Sequence, residues 1–365
     1  MNAVVKEIAT HFDIWGDYLW CERYGSGHIN DTFLTVFNQA GYQVRYIIQR
    51  INTNIFKQPE QLMDNISRVL SHCKAKLQGR KDATRRALTV INAQDGKPFF
   101  VDKDGNYWRA YLFIDRARTY DVLESAEFAY QTAKAFGAFQ QILADIPGDR
   151  LYETIPNFHN TPSRIADFDK ALAADVCGRA ESAKAEIEFL QNHRDMAGKL
   201  LDLMAKGEIP ERITHNDTKI NNVMLDDETG EGICVIDLDT IMPGISLYDF
   251  GDLVRTSTSP AAEDEKDLSK VYARMEMFEA LAKGFLEGAG NCLTPAEIEN
   301  MPFSGMLITF EIGVRFLTDY LDGDKYFKTK REGHNLDRCR TQFKLVQSLM
   351  EQEDKMNEIM KGLVK

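Results

Sequence analysis

The sequence predicts an α+β chain of two unequal lobes, a small antiparallel-sheet lobe at residues 1–115 and a larger, mainly helical lobe at residues 116–365. Three observations carry this. Runs of β-branched and aromatic residues crowd the first third, apolar residues recur at helical spacing through most of the remainder, and one β-like island interrupts the helices just after residue 222.

Taken in order, Leu34-Thr35-Val36-Phe37 and Val44-Arg45-Tyr46-Ile47-Ile48 read as two strands joined by a turn over Asn38 to Gly41. Tyr24-Gly25-Ser26-Gly27-His28 is a glycine-containing loop leading into that hairpin. Pro59 opens a helix with apolar Leu62, Met63, Ile66, Val69 and Leu70. Leu88 to Ile91, Phe99 to Val101 and Trp108 to Ile114 read as further strands, with Asp95-Gly96 and Asp104-Gly105 as turns, and the small lobe ends near Asp115. Beyond it, helical patterns cover Glu127 to Leu143, Arg164 to Ala174, Lys184 to Lys206 and Leu268 to Glu287. The island is a second hairpin: Val223-Met224-Leu225, a turn over Asp226 to Gly230, and Ile233-Cys234-Val235-Ile236.

Composition narrows the function. With 365 residues and 44% hydrophobic side chains the chain fills a real core. Its 44 basic and 56 acidic residues leave a net charge of −12, which repels a phosphate backbone and speaks against nucleic acid as a partner. A bound nucleotide is still compatible, since local donors and a divalent cation outweigh a diffuse field over a few ångströms. The cysteines, at 21, 73, 177, 234, 292 and 339, form no C-x-x-C pair and read as free thiols of a reducing, cytoplasmic compartment. The first twenty residues lack the apolar run of a signal peptide, and the apolar stretch Met306 to Leu317 is short and broken by Glu311 and Arg315, so no membrane association is expected.

The densest chemistry lies at Ile213-Thr214-His215-Asn216-Asp217-Thr218-Lys219-Ile220-Asn221-Asn222, followed by the second hairpin and then Ile236-Asp237-Leu238-Asp239. The order is H-x-D-x-x-x-x-N, strand, turn, strand, D. Phosphoryl transfer asks little covalent chemistry of a protein: a carboxylate for the acceptor hydroxyl, oxygen ligands for Mg²⁺, and cations near the phosphates. Asp217 suits the first role, and Asn222 and Asp237, at the outer ends of one antiparallel hairpin, suit the second. Lys219 is placed to meet the γ-phosphate. Asp239 points the same way as Asp237 if the segment stays extended, which makes it a second candidate metal ligand. His215 reads as a packing or loop-bracing residue. The turn-capping habit of Asp and Asn accounts for an isolated pair, but not for the whole string.

These residues resemble the catalytic core of the aminoglycoside phosphotransferase and choline kinase family, which shares the bilobal protein-kinase-like fold. More closely, Gly25-Ser26-Gly27-His28-Ile29-Asn30, Thr214 to Lys219, Ile236-Asp237-Leu238-Asp239-Thr240-Ile241-Met242-Pro243-Gly244 and Glu263 to Lys270 resemble N-acetylhexosamine 1-kinases over nearly the whole chain. The resemblance implies ATP- and Mg²⁺-dependent phosphorylation of the anomeric hydroxyl of an N-acetylhexosamine. It also implies sugar contacts from His28, Asp217, Arg315 and Tyr326.

Other motifs weigh differently. Asp249-Phe250-Gly251-Asp252 spells the metal motif of protein kinases, but no simple hairpin returns it to Asn222, so Asp249 reads as a brace for the catalytic loop. The loop of Gly25, Ser26 and Gly27 lets backbone N–H groups approach phosphates, although two glycines in a turn are also just a turn. The lysine expected on the third strand is absent: Gln49 stands where alternation puts it, so either Gln49 is a neutral phosphate donor or Arg50 bends in. Adenine would meet backbone groups near Phe113 and Ile114. Glu311 and Arg315, four apart on one apolar helix, form either a buried ion pair or a ligand arginine with a neighbour. Two rival functions stand beside the sugar kinase: the same chemistry on an aminoglycoside, choline or homoserine acceptor, and a kinase-like binding module without turnover.

Overall fold

The computed structural model describes residues 2–25, 27, 29–121 and 125–364. Along the chain run α1 (Asn2–Ala9), β1 (Asp17–Arg23), β2 (Asp31–Gln39), β3 (Tyr42–Arg50), α2 (Pro59–Lys76), α3 (Ala83–Arg86), β4 (Val90–Ile91), β5 (Phe100–Val101), β6 (Tyr107–Leu112) and β7 (Ala117–Arg118). Then follow α4 (Ala126–Leu143), α5 (Thr161–Ala174), α6 (Lys184–His193), α7 (Lys199–Ala205), β8 (Arg212–Thr214), β9 (Val223–Asp226), β10 (Gly232–Val235), β11 (Met242–Gly244) and α8 (Ser246–Ser257). The chain ends with α9 (Met275–Ala289), α10 (Pro295–Glu299), α11 (Met301–Leu321), α12 (His334–Glu351) and α13 (Glu353–Leu363).

These elements form two compact units. The first comprises Met1–Arg118, Asp145–Ile155 and Met224–Met242; the second comprises Thr119–Ala144, Pro156–Val223 and Pro243–Lys365. The single boundary expected after Asp115 therefore misses two later segments that return to the first unit. The reason is local: Asn65 on α2 is fully buried and donates to the carbonyls of Tyr152 (2.8 Å) and Ile241 (3.0 Å), while its own oxygen accepts from Tyr152 N (2.9 Å). A buried amide satisfied by both segments fixes them to α2.

The first unit is built on an antiparallel sheet of order β1-β2-β3-β6-β4, with β5 on β6. The β2–β3 hairpin closes through Ala40 and Gly41, both at positive φ (51° and 94°), which matches the right-handed twist of the flanking strands. Phe33, Phe37, Tyr46, Ile48, Trp108 and Ala110 form a core with Val5, Ile8 and Ala9 of α1. The β9–β10 hairpin forms a small sheet with β7, in which Ala117 faces Asp226 and Arg118 faces Leu225.

The second unit is helical. Along α4 and α9 the backbones touch: a Cβ on Gly288 would lie 2.1 Å from the Lys134 carbonyl oxygen, and one on Gly284 would lie 2.2 Å from that of Tyr130. Helix α11 is buried along nearly its whole length and packs against α5, α8 and α12. Two expected helices are shorter than their periodicity suggested. The pattern over 184–206 is split by a 3₁₀ segment, Arg194–Gly198, and the helix expected from Leu268 begins at Met275, residues 268–270 forming a separate 3₁₀ turn capped by Asp267. Val271 and Ala273 are buried in the intervening non-helical stretch, so burial there arises without a helix face. No helix among the described residues is long and apolar enough to cross a membrane.

Candidate active site

In the second unit the site is built up from α8. Asp249, 1% exposed, accepts from Asn216 N (2.7 Å) at one oxygen and from His215 N (3.0 Å) and Gln140 Nε2 (2.6 Å) at the other, and its carbonyl accepts from Thr218 Oγ1 (2.5 Å). Asp249 thus braces the loop that carries Asp217. Asn216 takes φ +64°, a left-handed conformation that asparagine tolerates, and it is stapled there by Thr214 Oγ1 donating to its side-chain oxygen (2.9 Å). Gly244 is required beside this staple, because a Cβ there would lie 2.2 Å from Thr214 Oγ1. His215 is fully buried against Phe136 and Phe139, and its Nδ1 accepts from Asp217 N (3.3 Å), a structural role.

Asp217 is the product of this bracing. One carboxylate oxygen meets Lys219 Nζ at 2.8 Å; the other lies 3.3 Å from Asn222 Nδ2, which also donates to the Asp217 carbonyl (2.8 Å). Burial pushes the Asp217 carboxyl up, but the Lys219 ammonium and its hydrogen bond outweigh that and hold the pKa below the ordinary value. Asp217 is therefore an ionised acceptor at neutral pH, and its charge in turn raises Lys219. Because the Asn222 amide nitrogen is spent on Asp217, its carbonyl oxygen is turned to the other side. Arg255 and Asp252, which the sequence reading did not single out as a pair, form a buried ion pair (2.7 Å) electrostatically coupled to Lys219, and the second oxygen of Asp252 has no partner among the described residues.

Arg315 does not pair with Glu311. Glu311 is fully buried and bound by His159 Nδ1 (2.8 Å) and Thr161 Oγ1 (2.7 Å). The arginine instead sits among rings, its Cζ 5.4 Å from the centroid of Phe158, 5.7 Å from Tyr326 and 5.5 Å from Phe327. Tyr326 is displayed at 61% exposure by Asp319, whose oxygens accept from the backbone N–H groups of Lys325 (2.9 Å), Tyr326 (2.8 Å) and Phe327 (2.9 Å). Arg164 donates to the Phe158 carbonyl (2.9 Å), while its buried Nε has no partner among the described residues. Burial and the neighbouring Arg315 lower its pKa.

In the first unit, Gly25 takes φ +81°, which favours glycine, and a Cβ on either Gly25 or Gly27 would meet nothing within 4 Å beyond its chain neighbours. Ser26 and His28 lie outside the described residues. Gln49 spends its oxygen on Arg109 Nε (2.9 Å) and its nitrogen on Thr32 Oγ1 (2.9 Å), and Arg50 is held by Asp31. The cation next to Gln49 is Arg109 on β6, 1% exposed and ion-paired with Asp239. Asn30 donates to the second oxygen of Asp239 (2.6 Å). Asp239 is thus committed to Arg109 and Asn30 and does not share the outlook of Asp237: Asp237 is exposed at φ +57°, and a 3₁₀ turn at Leu238–Thr240 replaces the extended segment that would have aligned the two. At the expected hinge, Phe113 N donates to Arg45 O (3.0 Å), the Phe113 ring is flanked by Tyr24 and Arg45, and the Ile114 side chain is buried with Ala117, Met224 and Ile233.

Residues 20–283 match the family model described as the phosphotransferase enzyme family, APH. The chain belongs to the APH phosphotransferase family. Solved structures share its fold at low identity. They include a choline kinase from Cryptosporidium parvum (TM-score 0.60, 13% identity, covering 100% of this chain and 99% of that one). Another is a microcompartment-associated aminopropanol kinase (TM-score 0.59, 14% identity, 97% and 98% covered). A third is a spectinomycin phosphotransferase in complex with ADP and spectinomycin (TM-score 0.54, 14% identity, 97% and 98% covered). The fold shared with them covers 97% or more of this chain.

Sequence reasoning missed Arg109 and His159. Arg109 had one signal, an arginine inside the apolar strand Tyr107 to Leu112, where an unpaired charge would be costly. His159 had none, because its partners lie far off in the chain.

Proposed function

We propose that this APH-family protein is a small-molecule kinase that transfers the γ-phosphoryl group of ATP to the anomeric hydroxyl of an N-acetylhexosamine. The observation that carries the reading is Asp217, an ionised carboxylate on a loop pinned by Asp249, with Lys219 at 2.8 Å. In the reaction the sugar oxygen attacks the γ-phosphorus, its proton passes to Asp217, and the bond from phosphorus to the ADP oxygen breaks. Lys219 offers positive charge beside the base.

Magnesium is the proposed metal: Asn222, its carbonyl oxygen unspent on Asp217, and the exposed Asp237 would each offer it a hard oxygen. When bound, Mg²⁺ neutralises phosphate charge. Asp239, committed to Arg109, is left out of this set. ADP bound to the spectinomycin phosphotransferase supports an adenine nucleotide. Gly25 and Gly27, where a Cβ would meet nothing within 4 Å, belong with Ser26 to the proposed phosphate loop, and the resemblance proposes His28 as an acceptor contact.

The acceptor assignment rests on charge. Choline and aminopropanol are cationic acceptors and call for carboxylates, whereas around Tyr326 this chain presents Arg315 and Arg164, and the nearby Glu311 is buried and already bound. A neutral sugar with polar rims and an apolar face suits arginine and tyrosine. The test is phosphorus NMR with Mg·ATP and a panel of free sugars, aminoglycosides and amino alcohols, with Asp217→Asn as control. A sugar 1-phosphate should appear with N-acetylhexosamines, and Asp217→Asn should lose roughly 10²- to 10⁴-fold in kcat with little change in nucleotide affinity. Turnover only on amines would replace the acceptor; undiminished turnover in the variant would remove Asp217 as base.

A further inference from the structure

We propose that His159 is a buried imidazolium that positions the catalytic loop and couples it to the helix carrying Arg315; the catalytic part of this inference rests on the kinase reading above. His159 lies just ahead of α5, 6% exposed, and its two ring nitrogens face two acceptors. Nε2 is 3.0 Å from the backbone oxygen of Asn216, the residue before Asp217, and Nδ1 is 2.8 Å from Glu311 Oε1. A backbone carbonyl only accepts, so Nε2 carries a hydrogen. Glu311 accepts from Thr161 Oγ1 at its other oxygen (2.7 Å), the environment of an ionised carboxylate, so Nδ1 carries a hydrogen as well.

The groups around the ring agree. Phe158 and Tyr248 stand 4.7 and 5.1 Å away, centroid to centroid. Charge reaches the ring from Glu311 on α11 and Asp252 on α8, both favouring the cation. Arg315 on α11 and Arg164 on α5 act on Glu311 with the opposite sign, and the Tyr248 hydroxyl is pushed up by burial and stays neutral. Burial pulls the His159 pKa down, but Glu311 and the Asn216 carbonyl outweigh it and leave it raised.

The consequence is mechanical. The Asn216 backbone is held from both sides, its N–H by Asp249 (2.7 Å) and its C=O by His159, in a left-handed conformation that sets where Asp217 points. The same imidazolium binds Glu311, one helical turn before Arg315 on α11, so base and acceptor-side arginine share one anchor. A neutral ring keeping its Nε2 hydrogen would turn the Nδ1 lone pair against the Glu311 carboxylate and push the anchor apart. His159 is a positioning residue.

Nitrogen-15 NMR of histidine-labelled full-length protein reads the claim directly, with His159→Gln assigning the signal. Two protonated ring nitrogens at pH 7.5 are expected; a neutral ring, with the proton on Glu311 or absent, overturns the proposal. In kinetics, Glu311→Gln should move the alkaline limb of kcat at least one pH unit lower. His159→Gln, which retains one donor, should lose roughly 10- to 100-fold in kcat with an unchanged KM for ATP. An alkaline limb identical to wild type in Glu311→Gln, in protein whose melting at pH 6 shows it folded, likewise refutes the coupling. If the wild type turns over no acceptor, the kinase reading falls, and the NMR signal still decides the ion pair.

Discussion

Breaking the Arg109–Asp239 pair should destabilise the first unit more than any surface substitution. Arg109 and Asp239 side chains are 2% and 5% exposed, and among the described residues Asp239 has one further donor, Asn30 at 2.6 Å. Arg109→Met removes the guanidinium, the bond to Gln49 and the contact over the Tyr111 ring, and leaves a buried carboxylate with a single neutral donor. Removing one member of such a pair costs about 3–5 kcal/mol. For a domain of ~150–250 residues each kcal/mol moves Tm by about 2–4 °C, so a fall of roughly 6–20 °C is expected. The double variant Arg109→Met/Asp239→Leu should cost less than the two single changes together, by roughly 0.5–3 kcal/mol, because no charge is left unpaired. The assay is urea and thermal unfolding followed by tryptophan fluorescence. All three tryptophans, Trp15, Trp20 and Trp108, lie in the first unit, and Trp108, 3% exposed, sits beside Arg109 in β6. Single variants that each cost under about 1 kcal/mol with an unchanged denaturant slope would refute the claim that this charge is buried and uncompensated.

Three further outcomes follow from the second unit. The His159–Glu311 pair gives a pH window: the raised His159 contributes fully below its ordinary pKa of 6.5 and is lost as pH rises through the folded value, while the lowered Glu311 contributes above 4.5 and is lost as pH falls through its folded value, so stability measured by circular dichroism should peak between those pH values and Glu311→Gln should flatten the peak. Gly288→Ala, with its Cβ 2.1 Å from the Lys134 carbonyl oxygen, should force α4 and α9 apart at a cost of about 1–3 kcal/mol, read from helical ellipticity on heating. Arg315→Ala should raise the acceptor KM with the nucleotide KM unchanged, and Arg315→Lys should restore only part of it, because a lysine ammonium lacks the planar fork that stacks among Phe158, Tyr326 and Phe327; equal KM values for Ala and wild type would take Arg315 out of the acceptor site.

The sequence alone determined the local features. The β2–β3 and β9–β10 hairpins, the helix opened by Pro59 and the string from His215 to Asn222 follow from alternation, turn residues and periodicity, which act over a few neighbours, and the expected bracing by Asp249 is matched by its bond from Asn216 N. Tertiary structure decided which charges are paired. Glu311 and Arg315 have helical-pair spacing, yet the carboxylate goes to His159, 152 residues away; Asp237 and Asp239 have strand spacing, yet a 3₁₀ turn separates their directions and Arg109, 130 residues away, takes the second. A buried charge takes whichever counter-charge folding brings within reach of it in a low-dielectric interior, and chain separation carries no record of that distance.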